Sequence, residues 1–262
     1  MKEDGKIYVD TSKVSIREIN KSVAKEMIVK YHYSHAWTMC RYALGVYYED
    51  ESSFFGEEKL IGCMVYGYPV GRSAVKSVID VLEKDECLEL TRLFIHDGYG
   101  SNIESFSMSQ SFKWLKEHAP KIKMLLSYAD PEQLHLGGIY QATNWLYQDC
   151  RDIQLMPNYS VSLENPHKWI HSRTVFSKWG SHNLDHLKKE IGKQGYLEFW
   201  RKKEAPKHRY IQILGQSKSE KKKLSRMIKH KISPYPKNAE EFLSPIENHK
   251  TLKVESNKFF DI

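Results

Sequence analysis

Residues 87–128 read CLELTRLFIHDGYGSNIESFSMSQSFKWLKEHAPKIKMLLSY, and their pattern decides the fold class. Cys87 to Ile95 carries polar residues at alternating positions, as a strand with one buried face does. A turn-like loop, HDGYGSN, follows. Ile103 to His118 then brings Ile103, Phe106, Ser107, Gln110, Trp114 and Leu115 near one another at helical spacing, and Pro120 closes the helix. Ile122 to Tyr128 is a short apolar run suited to a buried central strand, and it ends in Ala129-Asp130-Pro131.

On the N-terminal side, Ile7 to Ile19 reads as one or two extended segments. Asn20 or Ser22 caps an amphipathic helix through about Tyr31, with Val23, Met27 and Ile28 on one face. Tyr42 to Tyr48 (YALGVYY) and Lys59 to Tyr68 (KLIGCMVYGY) flank the acidic, turn-like Glu49 to Glu58, which predicts a hairpin, and a helical stretch is expected around Val75 to Leu82. On the C-terminal side, Gly138 to Asn144 predicts a short helix and Trp145 to Tyr147 the start of a strand. Trp169 to Phe176 and His208 to Leu214 each predict a further strand, with a helix from Leu184 to Ile191 between them. The alternation implies an α/β fold, a mixed β-sheet flanked by helices. Three regions are expected: a core over 1–160, a basic C-terminal extension over 161–237 packed on it, and a loosely held polar tail over 238–262.

The 262 residues suffice for a sizeable core, and 40% hydrophobic with 12% aromatic residues excludes a disordered chain or a disulfide miniprotein. No apolar run approaches the roughly 18 residues of a membrane span, and the start, MKEDGKIYVD, lacks the apolar centre of a signal peptide. A protein made and kept inside a cell is therefore expected, with no membrane partner. Cys40, Cys63, Cys87 and Cys150 are far apart, without a CxxC pair, and read as free thiols. The formal net charge is +7 with a pI near 9.0. From Arg201 to Lys231 twelve Lys and Arg face two acids, Glu204 and Glu220, so the basic character is regional, laid on a nearly neutral body.

Four constellations can carry chemistry. Tyr31-His32-Tyr33-Ser34-His35 ends the first helix, and its two imidazoles suit acid/base work or, through His32 and His35, a metal; a helix C-terminus favouring His by its dipole, with tyrosines packed at the edge of the core, is the plainer account from residue types alone. Asp130 stands at the carboxyl end of a central strand, where α/β sheets place ligands, and Pro131 holds it out of helical geometry; a turn or N-cap Asp is the plain alternative. Gly98-Tyr99-Gly100-Ser101-Asn102 opens a helix and can offer backbone amides to a phosphate, although Glu104 opposes one and a simple helix cap is more economical. The fourth is the basic segment: Lys202, Lys203, Lys207, Arg209, Lys221, Lys222 and Lys223 interleave with Trp200, Tyr210 and Tyr235, a mixture suited to a nucleic-acid backbone.

YHYSH (31–35), ELTRL (89–93), NIESFSMSQSFKWLK (102–116) and above all SYADPEQLHLGGIYQATNWLY (127–147) resemble the Mom DNA-modification proteins of bacteriophages, as does KHRYIQIL with the later KKKL and Pro234-Tyr235-Pro236. The resemblance covers residues 31–237. It implies a fold similar to the GNAT acyltransferases, and transfer of a carbamoylmethyl group to the N6 amine of adenine in double-stranded DNA, in the cytoplasm of an infected bacterial host, with protection from restriction endonucleases. It implies His32, Tyr33 and Asp130 as active-site residues, more loosely Tyr66 and Ser105, and an iron ion. In a GNAT-like layout Gly98, Gly100, Ser101 and Asn102 would form the donor-phosphate loop, Asp130 would project from the splayed sheet edge and Tyr140 would lie on the following helix. The loop lacks the Gly-rich signature of coenzyme A binders, so acetyl-CoA and an aminoacyl donor both stay open. A flipped adenine would find Tyr66 or Trp145 to stack on. Leu134 departs from the family pattern, which calls for glycine there. Two other functions fit the same residues: acylation of a modified pyrimidine or a protein amine on this fold, and nucleic-acid binding without catalysis.

Overall fold

The computed structural model describes residues 2–3, 6–49, 57–71, 73–149, 151, 157–164 and 166–252. Its elements are β1 (Val14–Glu18), α1 (Lys21–Tyr31), β2 (Tyr42–Glu49), β3 (Glu58–Gly67), β4 (Cys87–Ile95), α2 (Ile103–His118), β5 (Met124–Ala129), α3 (Gly138–Ala142), β6 (Leu146–Gln148), β7 (Tyr159–Ser162), α4 (Ser172–Trp179), α5 (Leu184–Lys193), β8 (Glu198–Lys203), β9 (His208–Ile213), α6 (Lys218–Arg226) and β10 (Glu247–Lys250). They form two compact units, one of residues 1–129, 137–149 and 208–235, the other of 130–136, 150–207 and 236–262.

The first unit holds a seven-stranded sheet in the order β1-β2-β3-β4-β5-β9-β6. Every neighbouring pair is antiparallel except β4 with β5, so the expected mixed sheet flanked by helices is present. Period-two alternation sorts the side chains. Met64 and Tyr66 of β3, Leu88 and Leu90 of β4, Leu125 of β5 and Tyr210 of β9 join Met108 and Leu115 of α2 in one core. On the opposite face, Cys63 and Val65 pack with Ala24, Met27 and Ile28 of α1, while Met124, Leu126, Ile211 and Ile213 pack with Val75, Ile79 and Leu224 of α6.

The parallel pair is short. β4 and β5 pair only over Cys87–Glu89 with Met124–Leu126, and beyond this their backbones separate. Past that pairing the Ser127 hydroxyl takes the place of the ladder, 2.9 Å from the Leu90 carbonyl.

In the second unit, β10-β8-β7 form an antiparallel sheet whose core joins Val161 and Phe199 to Val175 and Trp179 of α4 and Leu187 and Ile191 of α5. Glu204 ties it together, accepting hydrogen bonds from the Ser172 backbone (2.8 Å), the Ser172 hydroxyl (2.7 Å) and the Ser160 hydroxyl (2.6 Å). Burial alone would raise its pKa, but these bonds outweigh burial and hold it below the usual glutamate value.

Several expectations need correction. Val23 is exposed and Ala24 takes its place on the buried face of α1. Residues 75–82 form hydrogen-bonded turns instead of a helix. Within 169–176 only Ile170 bridges to Val161, and α4 starts at Ser172 because His171 caps it, its Nδ1 accepting from the Arg173 amide. The chain does not divide at residue 160: β9 inserts between β5 and β6, since its alternating apolar residues complete both faces of the main sheet, so part of the basic extension is core. The tail supplies β10, paired with β8. Cys40, Cys63 and Cys87 are free thiols; Cys150 lies outside the described residues, as do the hairpin tip at 50–56 and the chain end at 253–262.

Candidate functional site

The splay between β4 and β5 gathers phenols. Gly137, at φ 72°, turns the chain into α3, and a Cβ there would come within 2.5 Å of the Tyr210 ring and 2.9 Å of the Tyr140 ring. Glycine at 137 thus lets Tyr140 lie over Tyr210, with ring centroids 4.9 Å apart. The Tyr140 hydroxyl reaches Ser127 at 2.7 Å. A serine has one proton to give. When Ser127 donates to Leu90 the phenol donates to Ser127; when Ser127 donates to Tyr140 the phenol proton is available to a bound group.

A second relay runs deeper in the same unit. Tyr66 lies 2.7 Å from Ser111, which donates to the Met108 carbonyl at 2.7 Å. Burial pushes the pKa of Tyr140 up to about 12 and raises that of Tyr66 further. Both phenols therefore stay protonated at neutral pH and act as donors, not bases. Glu89, the last residue of β4 paired with β5, adds to the rise at Tyr140 through its negative charge. Tyr33 is largely exposed, with its ring centroid 4.3 Å from that of His32.

His32 caps the end of α1 and is buried. Its Nδ1 lies 3.1 Å from the Ser34 backbone N–H, which can only donate, and 2.9 Å from the Ser34 hydroxyl. Nδ1 is therefore an acceptor, and in the neutral ring Nε2 carries the proton. His35, at φ 45°, has the opposite tautomer, since its Nδ1 faces the Val29 carbonyl at 3.0 Å. A metal needs an imidazole lone pair. That of His32 Nδ1 is taken by Ser34, and among the described residues no group of three or more His, Cys, Asp or Glu converges as a ligand set. Among the described residues no ligand set of the kind the resemblance implies for iron is assembled around His32 and His35.

In the second unit, Asp130 directly follows the last residue of β5. Its Oδ1 accepts from the Glu132 amide at 3.0 Å, capping a 3₁₀ turn over Pro131–Gln133, and its Oδ2 lies 3.3 Å from Lys207 Nζ. Leu134 closes that turn at φ 58°, ψ 22°. This left-handed conformation is the physical reason a glycine is expected there.

The glycine loop is engaged within its own unit. Asn102 Oδ1 accepts the Val9 N–H at 2.9 Å instead of capping α2, and a Cβ on Gly100 would meet the Val9 nitrogen at 2.3 Å. Ser101 faces an open cleft of about 520 Å³ lined by Leu93, Phe94 and Ile95 of β4, Glu104 and Ser105 of α2, and Gly138, Ile139 and Ala142 of α3. Ser105 donates to the Asn102 carbonyl at 3.0 Å. Trp145 and Tyr66 are fully buried, so neither is presented for stacking on a base.

The basic residues separate into two groups. Lys202 pairs with Glu132, and Lys207 with Asp130. Arg209 is buried, holding Gln148 Oε1 (3.0 and 2.6 Å) and the Ser77 hydroxyl (2.8 Å). Lys203 is exposed at the end of β8. Lys221, Lys222 and Lys223 lie on α6, exposed and, among the described residues, in no ion pair, together with Lys218 and Arg226.

Ser127, Glu89 and Tyr140 form the part of the site to which residue types alone assigned no role. A polar residue inside each of two strands, and a tyrosine one turn after a glycine pair, were the available signals.

Residues 13–237 match the sequence profile of the Mom protein family. The methylcarbamoylase mom of Escherichia phage Mu is 25% identical over 233 residues, spanning 87% of this chain and 85% of its own length. Among solved structures, spermidine/spermine N-acetyltransferase SpeG from Vibrio cholerae aligns with 82% of this chain and 98% of its own at 9% identity and a TM-score of 0.41. An N-acetyltransferase from Staphylococcus aureus Mu50 aligns with 77% of this chain and 97% of its own at 10% identity and a TM-score of 0.37.

Proposed function

Because the chain belongs to the Mom protein family, we propose that it is a transferase that modifies DNA, placing a carbamoylmethyl group on the N6 amine of adenine and shielding that DNA from restriction endonucleases. The family match carries this reading, since it spans every residue of the phenol cluster at the splay. The name of the phage Mu relative, a methylcarbamoylase, supports transfer of a small carbamoyl-containing group.

The adenine N6 amine is conjugated to the ring and is a poor nucleophile, so the enzyme must take up its proton and activate the donor. In this proposal Asp130, whose carboxylate pairs with Lys207, accepts the N6 proton. Tyr140 and Tyr33 donate hydrogen bonds to the donor, and the Ser127 proton swings from Leu90 to Tyr140 as the phenol proton is committed. The His32 Nε2–H is a further donor. N6 is paired in a duplex, so the base must leave the stack to react. Phosphates of the DNA run along α6, where Lys218, Lys222, Lys223 and Arg226 share the face opposite buried Leu224.

Plasmid DNA from cells expressing the protein, challenged with restriction endonucleases whose sites contain adenine, tests this reading. Resistance with wild type and full cleavage with Asp130→Asn are expected; complete cleavage in both contradicts it.

A further inference from the structure

Tyr66 and Trp145 are buried, so a base that leaves the duplex needs another ring to stack on. A suitable ring system stands on the α1 face of the main sheet. Tyr31 is the last residue of α1, and its ring lies parallel to that of Phe94, with an interplanar angle of 10° and centroids 5.6 Å apart. His96 sets its ring edge-on against both, 4.8 Å from each. Phe94 and His96 stand two residues apart at the end of β4, beyond the stretch that pairs with β5.

Packing alone does not account for this cluster. A tyrosine serving only the core would be covered, yet Tyr31 keeps 44% of its surface exposed, and Phe94 and His96 are partly exposed. Phe94 also lines the open cleft of about 520 Å³. Cations border the rings: Lys30 Nζ lies 4.9 Å from the Tyr31 centroid, and Arg92, two residues before Phe94 in β4, donates to the Ala36 and Thr91 carbonyls. Among the described residues neither cation is in an ion pair. Glu26 and Asp97, close by in sequence, are exposed acids that offset part of this charge, so stacking has to supply most of any affinity for a nucleic acid. The contact of Phe94 and His96 fixes the plane of the Tyr31 ring in advance, which lowers the ordering cost of stacking on it.

We infer that Tyr31, backed by Phe94 and His96, is the platform on which an unpaired base of the DNA substrate stacks. The inference rests on the reading above that the protein modifies DNA, and deepens it by naming a base-binding residue. A second ring set, Tyr42 with Trp114 and His118, fits less well. Tyr42 is level with Tyr66 and Leu90, next to the stretch where β4 still borders β5 and away from the end of β4 that opens onto the cleft.

Single-stranded DNA removes the cost of opening a duplex and isolates the contact. Fluorescence anisotropy of the full chain with a short oligodeoxyadenylate, and with an abasic oligomer of equal length and charge, tests it. Wild type is expected to bind the base-bearing strand roughly tenfold more tightly. Tyr31→Ala should erase that difference, and so should Tyr31→Leu, which keeps an apolar cover over Phe94; Tyr31→Phe should preserve it. The slope of log binding constant against log salt should be the same in every variant, because no phosphate contact is lost. Discrimination retained in Tyr31→Ala and Tyr31→Leu, lost in Tyr31→Phe, or lost in His118→Ala instead overturns the inference. So does a wild type that binds both strands equally or neither. Nucleoside masses from co-expressed plasmid keep the two readings apart. An adenine adduct without base discrimination at Tyr31 leaves the modification reading standing and removes this one; discrimination at Tyr31 without any adduct does the reverse.

Discussion

Replacing Tyr140 by Phe removes one hydroxyl from the splay and keeps the ring on which Tyr210 and Trp145 pack, with centroids 4.9 and 5.2 Å away. Ser127 retains the Leu90 carbonyl as a partner at 2.9 Å, so the substitution strands no buried polar group. The stability cost is then that of one hydrogen bond, about 1 kcal/mol, lowering the melting temperature by roughly 2–4 °C in a chain of this size. The effect on catalysis should be much larger. If the phenol donates to charge developing on the donor in an enclosed site, its loss costs about 10²–10³ in rate, the scale of one oxyanion-hole donor. Because the phenol is already protonated, with its pKa pushed up to about 12, its contribution should not vary with pH between 6 and 9. The assay is the rate of adduct formation in plasmid DNA, read by nucleoside mass, alongside thermal melting of the same preparation. A folded Tyr140→Phe protein with wild-type rate would rule out the phenol as a donor in the reaction. So would a loss of activity that merely follows a loss of structure.

Four further outcomes are expected. Leu134→Gly should stabilise the protein by about 0.5–1 kcal/mol in denaturant melts, because it relieves a left-handed residue at an exposed position. Glu204 has a depressed pKa, so its contribution is complete above the unfolded value and is lost as pH falls through the folded one; Glu204→Gln should destabilise the second unit by about 1–3 kcal/mol at pH 7, and the gap to wild type should close on acidification. Gln at Lys218, Lys222 and Arg226 together should reduce the slope of log binding constant against log salt by about 2–3 for duplex DNA, whereas Lys202→Gln, which breaks the pair with Glu132, should leave it nearly unchanged. Asp130→Asn preserves the capping oxygen of the turn, so the protein should fold and lose adduct formation; retained activity would remove Asp130 as the proton acceptor.

The strands and helices that show strong periodicity in sequence are those found: β2, β3, β4, α2, β5 and α5 follow directly from alternation or helical spacing. Residues 169–176 misled because Trp169, Ile170, Val175 and Phe176 favour strands by residue type, while the cap at His171 and packing of Val175 and Trp179 in the second core decide for a helix. β9 was recognisable as a strand, but its place between β5 and β6 depends on contacts across more than 60 residues of chain, which no local pattern encodes. Of the residues proposed for the chemistry, His32, Tyr33 and Asp130 are marked by residue type and family resemblance. The Tyr140–Ser127–Leu90 relay was not, because a serine in an apolar strand reads as tolerated polarity until the divergence of β4 from β5 gives it a partner. Charge counting located the basic segment correctly without separating the cations held by Glu132, Asp130 and Gln148 from those that α6 presents to solvent.

Transfer of a group to adenine in DNA leaves a mass signature in plasmid DNA from cells expressing the protein, read after digestion to nucleosides. A heavier deoxyadenosine, absent from the Asp130→Asn and Tyr140→Phe strains, is the predicted result; unmodified deoxyadenosine, or an adduct confined to pyrimidines, would contradict it.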